Sequence, residues 1–249
     1  MTLPLHGTIT CRACFNELDI NSCSPAPKWK MVNDPCAWGS AKPTYLVLGF
    51  SKGFTQADAF KNKPFEQIAF AGMRPRLTAA LRSVGILNEG EDVNSMIADP
   101  DSRIAFGSLV RCSVSRIDEK ASRAKGHYIY SCTGSTITKS FCEIPNILEN
   151  CSRIFLLNLP TSVRAVLFLG NQDSYISGCQ SLLEKLFPDS FSKVNQVAAD
   201  ADNRRWVHLA HPSGLNGHFN TWLTSNQGSG QKRLLAQEAL ADIEEGSTA

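Results

Sequence analysis

Apolar residues in this chain gather in four short runs, separated by stretches where they recur every three or four positions. Tyr45-Leu46-Val47-Leu48-Gly49, Ile104 to Val110, Ala165-Val166-Leu167-Phe168-Leu169-Gly170 and Trp206 to Ala210 are long enough for buried strands and too short for helices. Between and after them, Leu77 to Leu87 reads as a helix closed by Gly85. Ile144 to about Leu159 reads as a helix interrupted early by Pro145, and Ser181 to Phe187 belongs to another. Gln231 to Ile243 is a closing amphipathic helix with Leu234, Leu235, Ala239, Leu240 and Ile243 on its apolar face. Strands alternating with helices predict an α/β fold. The expectation is a single domain over residues 1–249, with a central four-stranded parallel sheet flanked by helices. Two regions break the alternation. Residues 1–42 read as an irregular, cysteine-containing N-terminal segment, and residues 113–150 as an insertion whose first part is polar and loop-like.

The last apolar run stops abruptly at His211-Pro212-Ser213-Gly214. Pro212 has no N–H for a ladder and Gly214 permits a sharp turn, so a histidine is delivered to the end of a rigid strand. Beyond it the loop carries Leu215 and Asn216. Ligands of open α/β sheets bind outside the carboxyl ends of the strands, which makes this loop a candidate site. By itself the pattern also suits a histidine satisfied within a turn.

Composition narrows the setting. With 25 Lys and Arg against 23 Asp and Glu, the net charge of +2 does not announce a nucleic-acid binder, and it leaves room for a local basic groove. No apolar run approaches a membrane span and the first residues lack a signal-peptide pattern, so the chain reads as cytoplasmic, with no membrane partner. Nine cysteines are many for a reducing compartment and point to metal or catalysis. Cys11-Arg12-Ala13-Cys14 has a spacing that lets two thiolates face one metal centre, whereas Cys23, Cys36 and Cys179 read as small buried apolar residues.

Three features then fall in order: a Gly-x-x-x-Gly loop after the first strand, a cysteine closing the second, and His-Pro-Ser after the last. Together they resemble the uracil-DNA glycosylase superfamily, most of all its family-four, iron–sulfur branch, over nearly the whole chain. Gly49-Phe50-Ser51-Lys52-Gly53 stands where that family has Gly-Glu-Ala-Pro-Gly. Asn62-Lys63-Pro64-Phe65, Gly72 and the following helix resemble its Pro-Phe-x-Gly segment, and Leu109-Val110-Arg111-Cys112 resembles Val-Val-Lys-Cys. The resemblance implies a 4Fe-4S cluster held by Cys11, Cys14, Cys112 and Cys151. The spacing from Cys112 to Cys151 is longer than the family's, and the inserted residues include Cys132 and Cys142, either of which stands as an alternative to Cys151.

The resemblance further implies a monomeric enzyme that binds DNA and cleaves the N-glycosidic bond of an aberrant base, in base-excision repair or in defence against modified phage DNA. A non-catalytic iron–sulfur DNA-binding relative is the alternative. Such a site needs a donor aimed at the departing base, a group near the sugar and an aromatic face for the flipped base. His211 matches the donor, Leu215 the wedge that fills the vacated stack, and Phe54 the stacking ring, with Ser213 and Asn216 in the same substrate-binding loop. Departures from the family pattern matter equally. No carboxylate occupies the first motif, where Phe50 and Ser51 stand instead, leaving Ser51 or the downstream Asp58 to position water. Lys52 replaces a proline and is a candidate phosphate ligand. Ser108 aligns with the uracil-reading asparagine, which favours a modified cytosine or another bulkier base over uracil. Arg111, Arg204, Arg205 and the Arg116–Lys125 stretch, with Lys52, are expected to track phosphates.

Overall fold

A computed structural model of the chain describes residues 2–15, 20–53 and 62–245. Strands β1 (Gly7–Thr8), β2 (Ser22–Cys23), β3 (Trp29–Val32) and β4 (Cys36–Gly39) precede β5 (Tyr45–Gly49). A 3-10 turn at Phe65–Gln67 leads to α1 (Arg74–Arg82), α2 (Val93–Met96) and β6 (Ile104–Ser108). Next come β7 (Ser113–Ile117), α3 (Glu119–Lys125), β8 (Tyr130–Ser131), α4 (Ser135–Glu143), α5 (Pro145–Leu156) and β9 (Ala165–Leu169). The chain closes with α6 (Asp173–Leu186), β10 (Ser192–Asn195), β11 (Ala198–Ala201), β12 (Arg204–Leu209), α7 (Phe219–Thr224) and α8 (Ser229–Glu245).

The four apolar runs become β5, β6, β9 and β12, which pair in parallel. They do not make up the whole sheet. It has eight strands among the described residues and is mixed, in the order β1-β4-β6-β5-β9-β12-β11-β10. Antiparallel strands extend it on both sides, β4 and β1 beyond β6, and β11 and β10 beyond β12. The expectation of a four-stranded sheet is corrected accordingly. Every residue of β5, β6 and β9 is buried, because helices cover both faces and each side chain needs an apolar neighbour whichever way it points. Alternation along the strands divides the core in two. Tyr45, Val47, Phe106 and Leu167 pack on one face with α1, α7 and α8, while Leu46, Leu48, Val166 and Phe168 pack on the other with α5 and α6.

Two further expectations need correction. Much of the N-terminal segment and of the presumed insertion loop is ordered as a second antiparallel sheet, β2-β3-β7-β8. Trp29, Met31 and Val114 of this sheet are buried in the same apolar cluster as Leu46 and Phe168. Residues 113–150 thus supply two strands and three helices, not a loop.

Among the parallel strands the spatial order is second, first, third, fourth: β6, β5, β9, β12. The chain leaves β5 first to one side and later to the other, so the switch in direction lies between β5 and β9. A crevice opens at the carboxyl ends of strands at such a point. Gly170 sits there with φ +147°, and a Cβ on it would lie 2.7 Å from the Tyr175 ring, so the chain turns off β9 at a place closed to other residues.

Candidate active site and cysteine cavity

His211 lies two residues past the end of β12, at the carboxyl ends of the parallel strands. The Ser213 backbone N–H donates to its Nδ1 at 3.1 Å. A backbone amide can only donate, so Nδ1 is an acceptor and the ring proton of the neutral imidazole sits on Nε2. Burial pushes the His211 pKa down from 6.5 to about 4, which keeps the ring neutral at physiological pH. The result is a fixed, uncharged N–H donor at the end of a core strand.

The rest of the loop is built to hold its shape. Asn216 donates its backbone N–H to the Ser213 carbonyl at 3.0 Å, closing a turn. Its side-chain amide donates to the His211 carbonyl at 2.9 Å, and its side-chain oxygen accepts from the His218 N–H at 3.1 Å. Ser213 Oγ accepts from the Leu215 N–H at 3.2 Å. Arg76, from α1, donates to the Asn216 carbonyl at 3.2 Å while its guanidinium lies 4.1 Å from the centre of the buried Phe219 ring. Ser213 and Asn216 are therefore braces of the loop. Leu215 stands clear of them, 86% exposed.

The loop after β5 departs further from expectation. Phe50 is buried against Tyr175, with ring centroids 6.4 Å apart. Ser51 Oγ donates to the Cys112 carbonyl at 3.0 Å and accepts from the Val114 N–H at 2.9 Å, tying this loop to the start of β7. Its hydroxyl is occupied in fastening the chain, not in positioning water. Lys52 is 1% exposed, its ammonium donating to the Arg111 carbonyl and standing 3.5 Å from Asp34. A buried, internally partnered amine has no access to a phosphate, so that assignment is also corrected. Ser108 ends β6 in register with Gly49 and is buried. Phe54 and Asp58 lie outside the described residues.

Cys11, Cys14, Cys112 and Cys151 line one small, mainly apolar cavity, closed by Phe15, Met31 and Phe155 among others. The Arg111 N–H donates to Cys151 Sγ at 3.2 Å. Cys132 and Cys142 do not line it. Cys132 is next to Ser51, its thiol pushed up to about 12 by burial, and Cys142 is exposed on α4. Burial likewise raises Cys112 to about 12 and Cys151 to about 11. Among the described residues no three ligating side chains close on a single ion. The thiols surround a space instead. A four-iron cluster takes one thiolate per iron and so asks for donors spread around it.

Arg111 is the residue whose role the sequence least disclosed. It is 2% exposed, its guanidinium 5.2 Å from the Phe155 ring centre. Its Nε and Nη1 have no hydrogen-bond partner among the described residues. A Cβ on Gly107 would lie 1.8 Å from Nη1, so glycine there makes room for the cation. A buried cation with unmet donors is costly unless an anion lies beside it. Asp34 was missed as well. It accepts from Ser113 N–H at 2.7 Å and Ser113 Oγ at 2.6 Å, and the Asn33-Asp34-Pro35 context gave no sign of partners so distant in the chain.

Most of the arginines expected to track phosphates are engaged internally. Arg204 pairs with Asp202 and donates to the Leu159 and Pro160 carbonyls, Arg205 holds Asp200 at 2.6 Å, and Arg116 holds Glu143 at 2.8 Å. No protein-family model matches the chain, and no curated protein sequence does either. No helix among the described residues is long and apolar enough to cross a membrane.

Two histidines, the buried His208 and the half-buried His211, make the fold acid-sensitive. His208 donates from Nδ1 to the Gly170 carbonyl at 2.8 Å, and burial lowers its pKa to about 4, as it does for His211. Unfolded chain takes up these protons below 6.5, whereas folded protein resists until about 4. Stability is therefore expected to be full above pH 6.5 and to fall between 6.5 and 4, by as much as about 3 kcal/mol per histidine. Urea titrations across that range check this, and a midpoint unchanged from pH 7 to 4.5 would contradict it.

Proposed function

We propose that the protein is a DNA glycosylase with a uracil-DNA glycosylase-like α/β/α fold. The observation that carries the reading is His211: a neutral Nε2–H donor, rigidly held at the crevice, with a solvent-exposed leucine four residues on. Breaking a glycosidic bond leaves negative charge on the departing base, and a preorganised neutral donor stabilises it without first having to lose a proton. Ser108, at the carboxyl end of β6 beside Gly49, is small and would leave space for a base larger than uracil. Leu215 enters the stack as the target nucleotide leaves.

The cysteine cavity carries the donor set of an iron–sulfur group. It offers four thiols in one space, a backbone N–H already directed at one sulfur, and a buried arginine whose free N–H groups ask for an anion. Cys11, Cys14, Cys112 and Cys151 would hold a 4Fe-4S cluster, whose contribution on this reading is to fasten the N-terminal segment to β7 and α5.

The test is a screen for abasic-site formation on duplexes carrying uracil, hypoxanthine or modified cytosines. Release of a bulky or modified base, with uracil released poorly, is the expected result. Binding to all of them without cleavage would favour a non-catalytic DNA-binding relative. The Ser51 hydroxyl, engaged with the Cys112 carbonyl, and the buried Phe50, in a stretch (Gly49–Gly53) that carries no carboxylate, are the features on that side. Leu215→Ala is expected to slow release of a paired base by about tenfold or more and to spare single-stranded substrate, since refilling matters only where a stack exists. Equal losses on both substrates would remove Leu215 from the wedge role.

A further inference from the structure

Residues 113–142 hold five cations (Arg116, Lys120, Arg123, Lys125 and Lys139) against two acids, Asp118 and Glu119. That local excess is larger than the +2 of the entire chain. Both acids are committed. Asp118 caps α3, accepting from the Ala121 N–H at 2.9 Å, and Glu119 holds Lys28 at 2.8 Å. Arg116 is turned inward to Glu143. Lys120, Arg123 and Lys125 remain exposed on α3, and Lys120 and Lys125 have no ion-pair partner among the described residues. Arg123 has only a loose contact, 3.7 Å, with Glu119.

Gly126 then ends α3 in the left-handed conformation, φ +70°. The turn sends His127 and Tyr128 into solvent, Tyr128 at 74% exposure. A large aromatic ring, three residues past Lys125, is thus left mostly in water rather than packed in the core. Aromatic faces interleaved with cations are what single strands and unstacked bases bind.

The arm also stands in a useful place. β7 starts against the loop after β5, through the bond from the Val114 N–H to Ser51 Oγ. Running out along β7 and α3, the basic tip is within about 25 Å of that loop, or about seven base-pair steps of DNA.

We infer that the arm Ile117–Ile129 is a second DNA contact outside the catalytic crevice, with Lys120, Arg123 and Lys125 on backbone phosphates and Tyr128 against an unstacked base. The inference rests on the glycosylase reading and deepens it by giving the substrate a flanking segment, with unpaired character, that the crevice does not touch. It also accounts for DNA affinity in a chain whose other arginines are largely spent on its own carbonyls and carboxylates.

The experiment measures binding by fluorescence anisotropy on the full-length protein with three DNAs carrying the same target base. One is a duplex of about ten base pairs with the target base at its centre, so that neither arm of the duplex reaches the basic tip; one is about thirty base pairs; the third adds a single-stranded flank. Wild type should gain affinity with length and gain again with the unpaired flank. In the Lys120→Ala, Arg123→Ala, Lys125→Ala triple variant the gain with length should disappear. Its salt dependence on the long duplex should be shallower by about 2–3 in the logarithmic slope. Tyr128→Ala should lose only the gain from the unpaired flank, about tenfold. All four side chains are exposed, so circular dichroism and thermal midpoints should match wild type. A triple variant that keeps the wild-type length gain and salt slope overturns the inference while leaving the glycosylase reading intact. Wild type that binds none of the three DNAs overturns both.

Discussion

His211→Ala is expected to lower the rate of base release by about a hundredfold to a thousandfold while leaving DNA binding nearly intact. One preorganised donor to a developing anion is worth about 2.7–4 kcal/mol in the transition state and little in the ground state. The structure sharpens the expectation in two ways. Nδ1 is already occupied by the Ser213 N–H, so only Nε2–H is free to donate. Burial holds the ring neutral down to about pH 4. The pH–rate profile should therefore lack an inflection near 6.5 that vanishes with the substitution. His211→Gln, which keeps a donor on a side chain of similar reach, should recover part of the loss. Full activity in His211→Ala on the base that wild type releases would end the assignment of this loop as the catalytic one.

The second large effect concerns the cysteine cavity. Protein purified without oxygen is expected to be brown and to contain iron, and Cys112→Ser or Cys151→Ser to lose both the colour and the iron. The loss should also lower the thermal midpoint by about 10 °C, the amount that about 3–5 kcal/mol produces in a chain of this size. Removing iron from wild type with a chelator should give a similar fall, which separates loss of the group from damage by the substitution. Cys142→Ser, exposed and away from the cavity, should change neither iron content nor midpoint. Iron near zero in carefully reconstituted wild type would dismiss the cluster and leave the four thiols as packing.

The parallel core of the fold was legible because each of its strands is buried on both faces and so had to be an unbroken apolar run. The other strands were not. β11 is Ala198-Ala199-Asp200-Ala201, with side chains too small to mark a face, and β1 and β2 are two residues long. The second sheet escaped notice because β3 and β7 read as polar alternation, Trp29-Lys30-Met31-Val32 and Ser113-Val114-Ser115-Arg116, and pair across some eighty residues of chain. In the site, His211 was marked by the break at its strand's end and Cys11 and Cys14 by their spacing, whereas Cys112 and Cys151 were singled out only by the family resemblance, which left Cys132 and Cys142 open as alternatives. Ser51 and Lys52 were misread for one physical reason: a residue's name in a loop does not say which way its side chain turns. Lys52 turns inward because Asp34 and the Arg111 carbonyl are there to receive it, and both are remote in sequence.

The bond from Ser51 to the Cys112 carbonyl joins two places that a division into catalytic pocket and structural cofactor would keep apart. The loop lining the crevice takes its position from the very residue proposed to hold an iron, with a single hydroxyl between them. Any shift of the chain at Cys112 is handed directly to the floor beneath the substrate. If those thiols carry a cluster, loss or oxidation of the metal would be felt at the carboxyl end of β5 through that one hydroxyl.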